Sequence, residues 1–329
     1  MAARLLRIGI AGCGLAARVH LDRLKGLDGV QVVGCADTNL DAARTLAARA
    51  GGEVPAFADH KELLAKATPD ALAVFTPHRS HYRPAMDALQ AGCHVFVEKP
   101  LSTNPQEAVD IAGLAKGRGL KVGVGHQYRL RPSLIEARRR LADGAIGTLR
   151  LVTATLAAPW LAAHQGPEDS WRLDPKVSGG GLLADAGDHL LDALLWATGR
   201  AAAEVAAFQG RQGAGLDVVT AAAVRLSDGT PATLALSAIS PGALFELSFF
   251  GDRGRLRADD HSLVVEPGDP GSGTPVALPE PATSVDANFV AAVREGAPLC
   301  CPAEEAVETV RLLEAIARSA ATGEVVRLA

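Results

Sequence analysis

Residues 4–20 read RLLRIGIAGCGLAARVH, and two readings of them exclude each other. With arginines ahead of a short apolar run ending in Ile10-Ala11-Gly12-Cys13, the stretch has the outline of a lipoprotein export signal. With its spaced glycines, it has the outline of a loop that holds a dinucleotide. An export signal needs an unbroken apolar region of roughly 7 to 15 residues. Arg7 leaves only Ile8 to Gly12 before the cysteine, so the signal reading fails on length. What remains is a strand from Leu6 to Ala11, a G-x-G-x-x-A loop (Gly12-Cys13-Gly14-Leu15-Ala16-Ala17) and a helix from Ala16 to Leu24. In that order Gly12 permits the tight turn, Gly14 lets the main chain approach a pyrophosphate, and Ala17 is small enough for close helix-sheet packing. Leu15 and Ala16 then sit where unpaired N–H groups and the helix dipole favour an anion. Cys13 reads as a small loop residue.

The rest of the chain extends that beginning into two domains. Its 329 residues, 48% of them hydrophobic, suffice for two cores. Up to about residue 125 the short apolar runs VQVVGCAD, ALAVFTP, HVFVEKP and KVGVGH alternate with Ala-rich helical stretches. Such alternation predicts βαβ units in an α/β fold, a Rossmann doubly wound parallel sheet whose strands are buried on both faces. After it come a helix in SLIEARRRLADG, a strand in LRLVTATLAAP and a helix in GGGLLADAGDHLLDALLWATG. EVAAFQGRQ, DVVTAAAVRL, PATLALSAIS, ALFELSFFG and RLRADDHSLVVE read as further strands, GDPGSGTP as a surface loop, and ANFVAAVREG and AEEAVETVRLLEAIARSAATG as closing helices. Strands in hairpin order predict an α+β domain with a large open, mostly antiparallel sheet. The expected division is 1–125 for dinucleotide binding and 126–329 for substrate binding and oligomerisation.

Composition narrows the partners. A net charge of -4 and a pI near 6.1 leave no basic footprint for nucleic acid. The cluster Arg138-Arg139-Arg140, with Arg129 and Arg131 upstream, reads as a solvated or subunit-facing helix side. Five irregularly spaced cysteines predict neither a disulfide framework nor a zinc site, which places the chain in a reducing cytoplasm. The most apolar helical segment is broken by Asp185, Asp188, His189 and Asp192, so no membrane span is expected. Strands of low charge such as TAAAVRL, TLALSAIS and LFELSFF predict an apolar outer sheet face, and hence a homodimer or a homotetramer.

The chemistry rests on three places. The second strand ends at Asp37, where an acid accepts the ribose hydroxyls of NAD and repels the 2'-phosphate of NADP. Thr38-Asn39 supplies no arginine there, so NAD is expected over NADP. Val97-Glu98-Lys99-Pro100 closes a strand at its carboxyl end, where ligands bind in open α/β sheets. A lysine there can donate to a substrate oxygen and stabilise a developing alkoxide. Further on, Asp185 and His189 stand four apart on one helix after a glycine run that would admit a ligand to its N-terminus. Histidine exchanges a hydroxyl proton near neutral pH, and a neighbouring carboxylate orients substrate or base. One histidine with two helical aspartates is not a usual ligand set, so no metal is expected. A solvated Asp-His pair is the competing reading.

Together the glycine loop, Glu98-Lys99-Pro100, and Trp171-Arg172 followed by Gly179-Gly180-Gly181-Leu182-Leu183-Ala184-Asp185-Ala186-Gly187-Asp188-His189 resemble the glucose-fructose oxidoreductase, inositol dehydrogenase and MocA-like oxidoreductases over nearly the whole chain. The resemblance implies NAD(P)-dependent oxidation or reduction of a sugar-like or polyol secondary alcohol or its carbonyl. It implies Lys99, Asp185 and His189 as catalytic residues. It also implies cofactor contacts from Thr76, Pro77 and His81 in the loop after a strand, from Glu98 and Lys99, and from Gln127 near the nicotinamide. Tyr128, Trp171 and Arg172 are candidate substrate contacts. Arg129-Leu130-Arg131 departs from the family's common Arg-Phe pattern. Two other functions fit the same scaffold: a glycoside-cleaving enzyme that recycles its NAD, and a non-enzymatic NAD-sensing regulator.

Overall fold

The computed structural model describes residues 5–166, 169–213, 215–268, 273–280 and 283–328. The chain divides into two compact units, one of residues up to 126 with 283–307, the other of 127–282 with 308–329. Residues 283–307 were expected in the second domain, and they fold with the first unit.

The first unit carries six strands, β1 (Leu6–Ala11), β2 (Val30–Ala36), β3 (Ala56–Phe57), β4 (Ala71–Val74), β5 (His94–Val97) and β6 (Val122–Val124). Between them run α1 (Leu15–Lys25), α2 (Leu40–Ala50), α3 (His60–Ala67), α4 (Tyr82–Gln90) and α5 (Pro105–Arg118). All strand pairs are parallel and the order is β3-β2-β1-β4-β5-β6, the doubly wound arrangement with its switch point beside β1. β4 is buried throughout, as its uninterrupted apolar sequence requires. Short polar side chains start the helices: Asn39, Asp59 and Asn104 accept N–H groups of the first turns of α2, α3 and α5. The late segment returns as α10 (Val285–Glu295), capped by Ser284 and packed on α1, and as an isolated bridge from Pro302 to Gly123 on β6.

The second unit holds α6 (Pro132–Ala142), β7 (Leu149–Ala157), the one-turn helices α7 (Trp160–Ala163) and α8 (Pro175–Ser178), and α9 (Asp188–Thr198). Strands β8 (Ala202–Gln212), β9 (Leu216–Leu226), β10 (Pro231–Ser237), β11 (Leu244–Gly251), β12 (Arg255–Asp259), β13 (Leu263–Glu266), β14 (Thr274–Pro275) and β15 (Val326–Arg327) follow; the division between units falls inside α11 (Ala303–Thr322). The sheet order is β14-β13-β12-β11-β7-β10-β9-β8-β15, with β7 and β10 parallel and the other pairs antiparallel. Leu134 of α6, Leu190, Leu191 and Leu194 of α9, and Leu312 and Ile316 of α11 bury one sheet face against Val152, Leu234, Leu247 and Phe249.

The other face alternates outward. Phe208, Ala221, Ala235 and Thr155 stand in register across four strands, as do Val219, Ser237, Ala157 and Leu244. Phe208 is 79% exposed and Leu244 47%. RLRADDHSLVVE, read as one strand, is a hairpin. Asp259 turns it by accepting the N–H groups of His261 and Ser262 at 2.8 and 2.7 Å, a turn with neither glycine nor proline. Of the expected loop 268–275, residues 269–272 lie outside the described residues, and Thr274–Pro275 pairs with β13 as β14. Among the described residues no helix is long and apolar enough to cross a membrane.

Candidate functional site

In the first unit the loop after β1 meets the carboxyl ends of β2 and β4. Gly12 has φ +89°, and a Cβ there would lie 2.5 Å from the main chain of Phe75 and Thr76. No other residue type fits that turn. Over Gly14 the space is open, Leu15 is exposed, and Ala17 is fully buried beneath them. Gly14 offers no side-chain cap and the first turn of α1 has no acid, so the turn's N–H groups face outward for an anion. Asp37 is half-buried, and its carboxylate accepts Cys13 N–H and Asn39 N–H, both at 2.8 Å. It therefore fixes the glycine loop as well as the end of β2. Cys13 donates its thiol to the Ala36 carbonyl, and its interaction with Cys35 and its burial hold that thiol protonated.

Thr76 follows β4 with its Oγ1 buried and without a hydrogen-bond partner among the described residues, and Pro77 beside it is half-buried. His81, an expected cofactor contact, braces the loops that follow β4 and β5. It is fully buried with its ring nitrogens 2.7 and 2.8 Å from the carbonyls of Pro100 and Thr76, and burial pushes its pKa down. Glu98 also turns inward. Its Oε2 accepts the Lys99 N–H at 3.0 Å and its Oε1 lies 3.0 Å from His20 Nε2. Lys99 is half-buried at the end of β5, before a cis peptide to Pro100. The open N-terminus, the bare Gly14 and the unpartnered Thr76 hydroxyl fit a dinucleotide held by its diphosphate.

In the second unit Asp185 and His189 do not share a regular helical face, because Leu183–Gly187 form a π turn ahead of α9. The Gly187 N–H reaches the Leu182 carbonyl at 2.8 Å, one residue further back than in an α-helix. Asp185 accepts Trp160 Nε1–H at 2.7 Å and pairs with Arg172 Nε at 3.2 Å; Arg172 also pairs with Asp169 and lies over the Trp171 ring. His189 is buried and stacks on Tyr128 at 4.3 Å and 6°. The Arg131 guanidinium lies 3.1 Å from the Tyr128 ring centre, so the ring is sandwiched, and Phe245 meets its edge. Gln127 opens the turn before Tyr128 and is exposed. Asp192 forms a buried two-pronged pair with Arg129.

The glycine run does not leave that helix start open. Asp217 of β9 accepts the N–H groups of Gly181 and Leu183 at 2.6 and 2.7 Å, and a Cβ on Gly181 would strike the Asp217 main chain. The glycines admit a carboxylate of the chain itself. Sequence patterns gave no sign of Asp217, Trp160 or His20, each brought in from a distant segment. Arg131 was visible as part of an arginine cluster and as a departure from a motif, not as a partner of Tyr128.

Residues 6–126 match the family described as oxidoreductase family, NAD-binding Rossmann fold (GFO_IDH_MocA), and residues 134–257 match its C-terminal domain GFO_IDH_MocA_C3. The chain is 29% identical to D-glucoside 3-dehydrogenase of Escherichia coli (strain K12) over 197 residues, 59% of this chain and 54% of that protein. It is 35% identical to inositol 2-dehydrogenase 1 of Saccharopolyspora erythraea over 150 residues, 45% of this chain and 44% of that protein. Those two matches span about half the length of each relative. The crystal structure of GenD2 from gentamicin A biosynthesis in complex with NAD superposes with a TM-score of 0.83 at 25% identity, covering 100% of this chain and 97% of that one.

Proposed function

Since this chain belongs to the GFO/IDH/MocA oxidoreductases, we propose that it is an NAD-dependent dehydrogenase acting on a sugar-like or polyol secondary alcohol, or on its carbonyl in reverse. The observation that carries the reading is the first-unit cradle: the open start of α1, the open space over Gly14, the Asp37 carboxylate and the unpartnered Thr76 hydroxyl. When bound, NAD supplies the hydride acceptor. Lys99 donates to the substrate oxygen and stabilises it as charge develops. His189 takes the hydroxyl proton. Asp185 orients substrate through Trp160 and Arg172, which it holds. Tyr128 fixes the plane of the His189 ring.

NAD is preferred over NADP because Asp37 would repel a 2'-phosphate, and the nearby Arg44 is engaged by Asp41 at 2.9 Å. The dinucleotide-binding part comprises residues 1–126 with 283–307, and the remainder binds substrate and oligomerises through its outer sheet face. The enzyme acts in the cytoplasm as a homodimer or a homotetramer built from it.

The test is NADH absorbance over a panel of sugars, inositols, sugar acids and dicarbonyls, run in both directions. On the substrate found, Lys99→Met should lower turnover by about 10²-fold and His189→Ala by roughly 10² to 10⁴, with NAD affinity nearly unchanged. Near-normal rates in both variants would make these residues structural. Substrate consumption without net NADH would point instead to internal recycling of the cofactor.

A further inference from the structure

One buried ionic cluster in the first unit has no part in the scheme above. His20 projects from α1, and its Nδ1 lies 2.6 Å from Asp286 Oδ1 of α10 while its Nε2 lies 3.0 Å from Glu98 Oε1 at the end of β5. Its ring stacks on Phe75 at 4.5 Å and 13°, and Phe96 tilts against it. The His20 and Asp286 side chains are 5% and 1% exposed, and Glu98 is 18% exposed. Arg23, on the same helix as His20, reaches the other Asp286 oxygen at 3.4 Å.

An imidazole can satisfy a carboxylate on each side only by donating from both nitrogens, which makes it a cation. Burial opposes that charge, but the hydrogen bonds to Asp286 and Glu98 outweigh it and hold the His20 pKa up at about 9. The remaining oxygen of Glu98 accepts the Lys99 N–H at 3.0 Å, so a line of hydrogen bonds runs from Asp286 through His20 and Glu98 to the Lys99 main chain. Gly125 makes room for it, since a Cβ there would lie 2.6 Å from Glu98 Oε1.

We propose that His20, clamped between Asp286 and Glu98, is a positioning residue that sets the orientation of Lys99. The proposal rests on the role given to Lys99 above. If His20 loses its charge, one nitrogen turns a lone pair toward a carboxylate, Glu98 is repelled, and its hold on the Lys99 main chain is lost. A neutral imidazole donates from one nitrogen only and cannot serve both acids at once. A fastening of α10 onto α1 alone would need Asp286 but not Glu98.

Two NMR signals test this in the full-length protein. His20 should remain doubly protonated up to about pH 9. The ¹³C-dimethylated Lys99 signal, assigned by its loss in Lys99→Met, should shift with that same transition. In His20→Gln the Lys99 transition should vanish and kcat should fall roughly 10- to 10²-fold, the cost of a small misplacement, with the NAD Kd and the substrate KM within about twofold. Asp286→Asn, a gentler change, should lower the His20 transition and carry the Lys99 transition down with it. Combined with His20→Gln, it should restore part of the turnover by removing one of the two buried carboxylate charges that the His20 cation had balanced. The proposal is overturned if His20 is neutral at pH 7, or if the Lys99 signal or kcat is unchanged in His20→Gln. If Lys99→Met itself leaves turnover intact, the catalytic reading fails, and the coupling of His20 to Lys99 is still decided by the two NMR signals.

Discussion

The pair of Arg129 with Asp192 allows a large effect to be calculated from geometry. The guanidinium donates through Nε and a terminal nitrogen to both carboxylate oxygens at 2.9 and 2.7 Å; the two side chains are 3% and 1% exposed, and Thr309 adds a hydroxyl at 3.3 Å. Asp192→Ala leaves the guanidinium buried without its carboxylate, a loss of about 3–5 kcal/mol. Against a domain stability of roughly 5–15 kcal/mol, that lowers the folded-to-unfolded ratio by about three decades and Tm by roughly 10 °C. Urea unfolding followed by tryptophan fluorescence would read it, because the Trp196 ring lies 6.0 Å from the Arg129 guanidinium. The midpoint should fall with an unchanged slope. Replacing both residues by apolar ones, Arg129→Met with Asp192→Leu, should recover most of the loss, since a buried pair is worth little net against good packing. A loss below about 1 kcal/mol for Asp192→Ala, or a double variant no better than the single, would refute the reasoning.

Asp37→Ala should narrow the NAD preference by about tenfold or more and weaken both cofactors, because Asp37 also holds Cys13 N–H; titration with NADH and NADPH fluorescence reads both. Phe208→Glu, on the exposed outer sheet face, should shift the protein to monomer in light scattering at micromolar concentration, and an unchanged mass would remove that face from the interface. His20 has a folded-state pKa raised from 6.5 to about 9, so its stabilisation, about 3 kcal/mol, is fully present below pH 6.5 and is lost as pH rises through 9. Urea midpoints over that window should fall in wild type relative to His20→Gln, and parallel curves would contradict the charge assigned to His20.

The parallel sheet was legible because both its faces are buried, which leaves unbroken apolar runs such as ALAV, and because Gly12, Gly14 and Ala17 answer local steric demands. The antiparallel sheet was legible from alternation, clearest in β9. The β12–β13 hairpin was hidden because a side-chain carboxylate replaced the usual turn residues. Long-range polar pairings left no local trace: Asp217 reaching Gly181, Trp160 reaching Asp185, and Asp286 reaching His20. Spacing of four between Asp185 and His189 implied a shared face only for an α-helix, and the π turn breaks that relation.

Residues 283–307 give the first unit an order of completion in time. Its parallel sheet is translated by residue 126, yet α10 and Asp286 emerge only after the intervening segment has been made. At about 5–20 residues per second, that delay is roughly 10–30 s. Throughout it, α1 lacks the helix that packs on it, and Glu98 and His20 face each other without the second acid. A nascent chain stalled before residue 283 should therefore expose α1 to protease and chaperone, and the unit that holds the dinucleotide cradle, first to be begun, waits for residues made after most of the second unit.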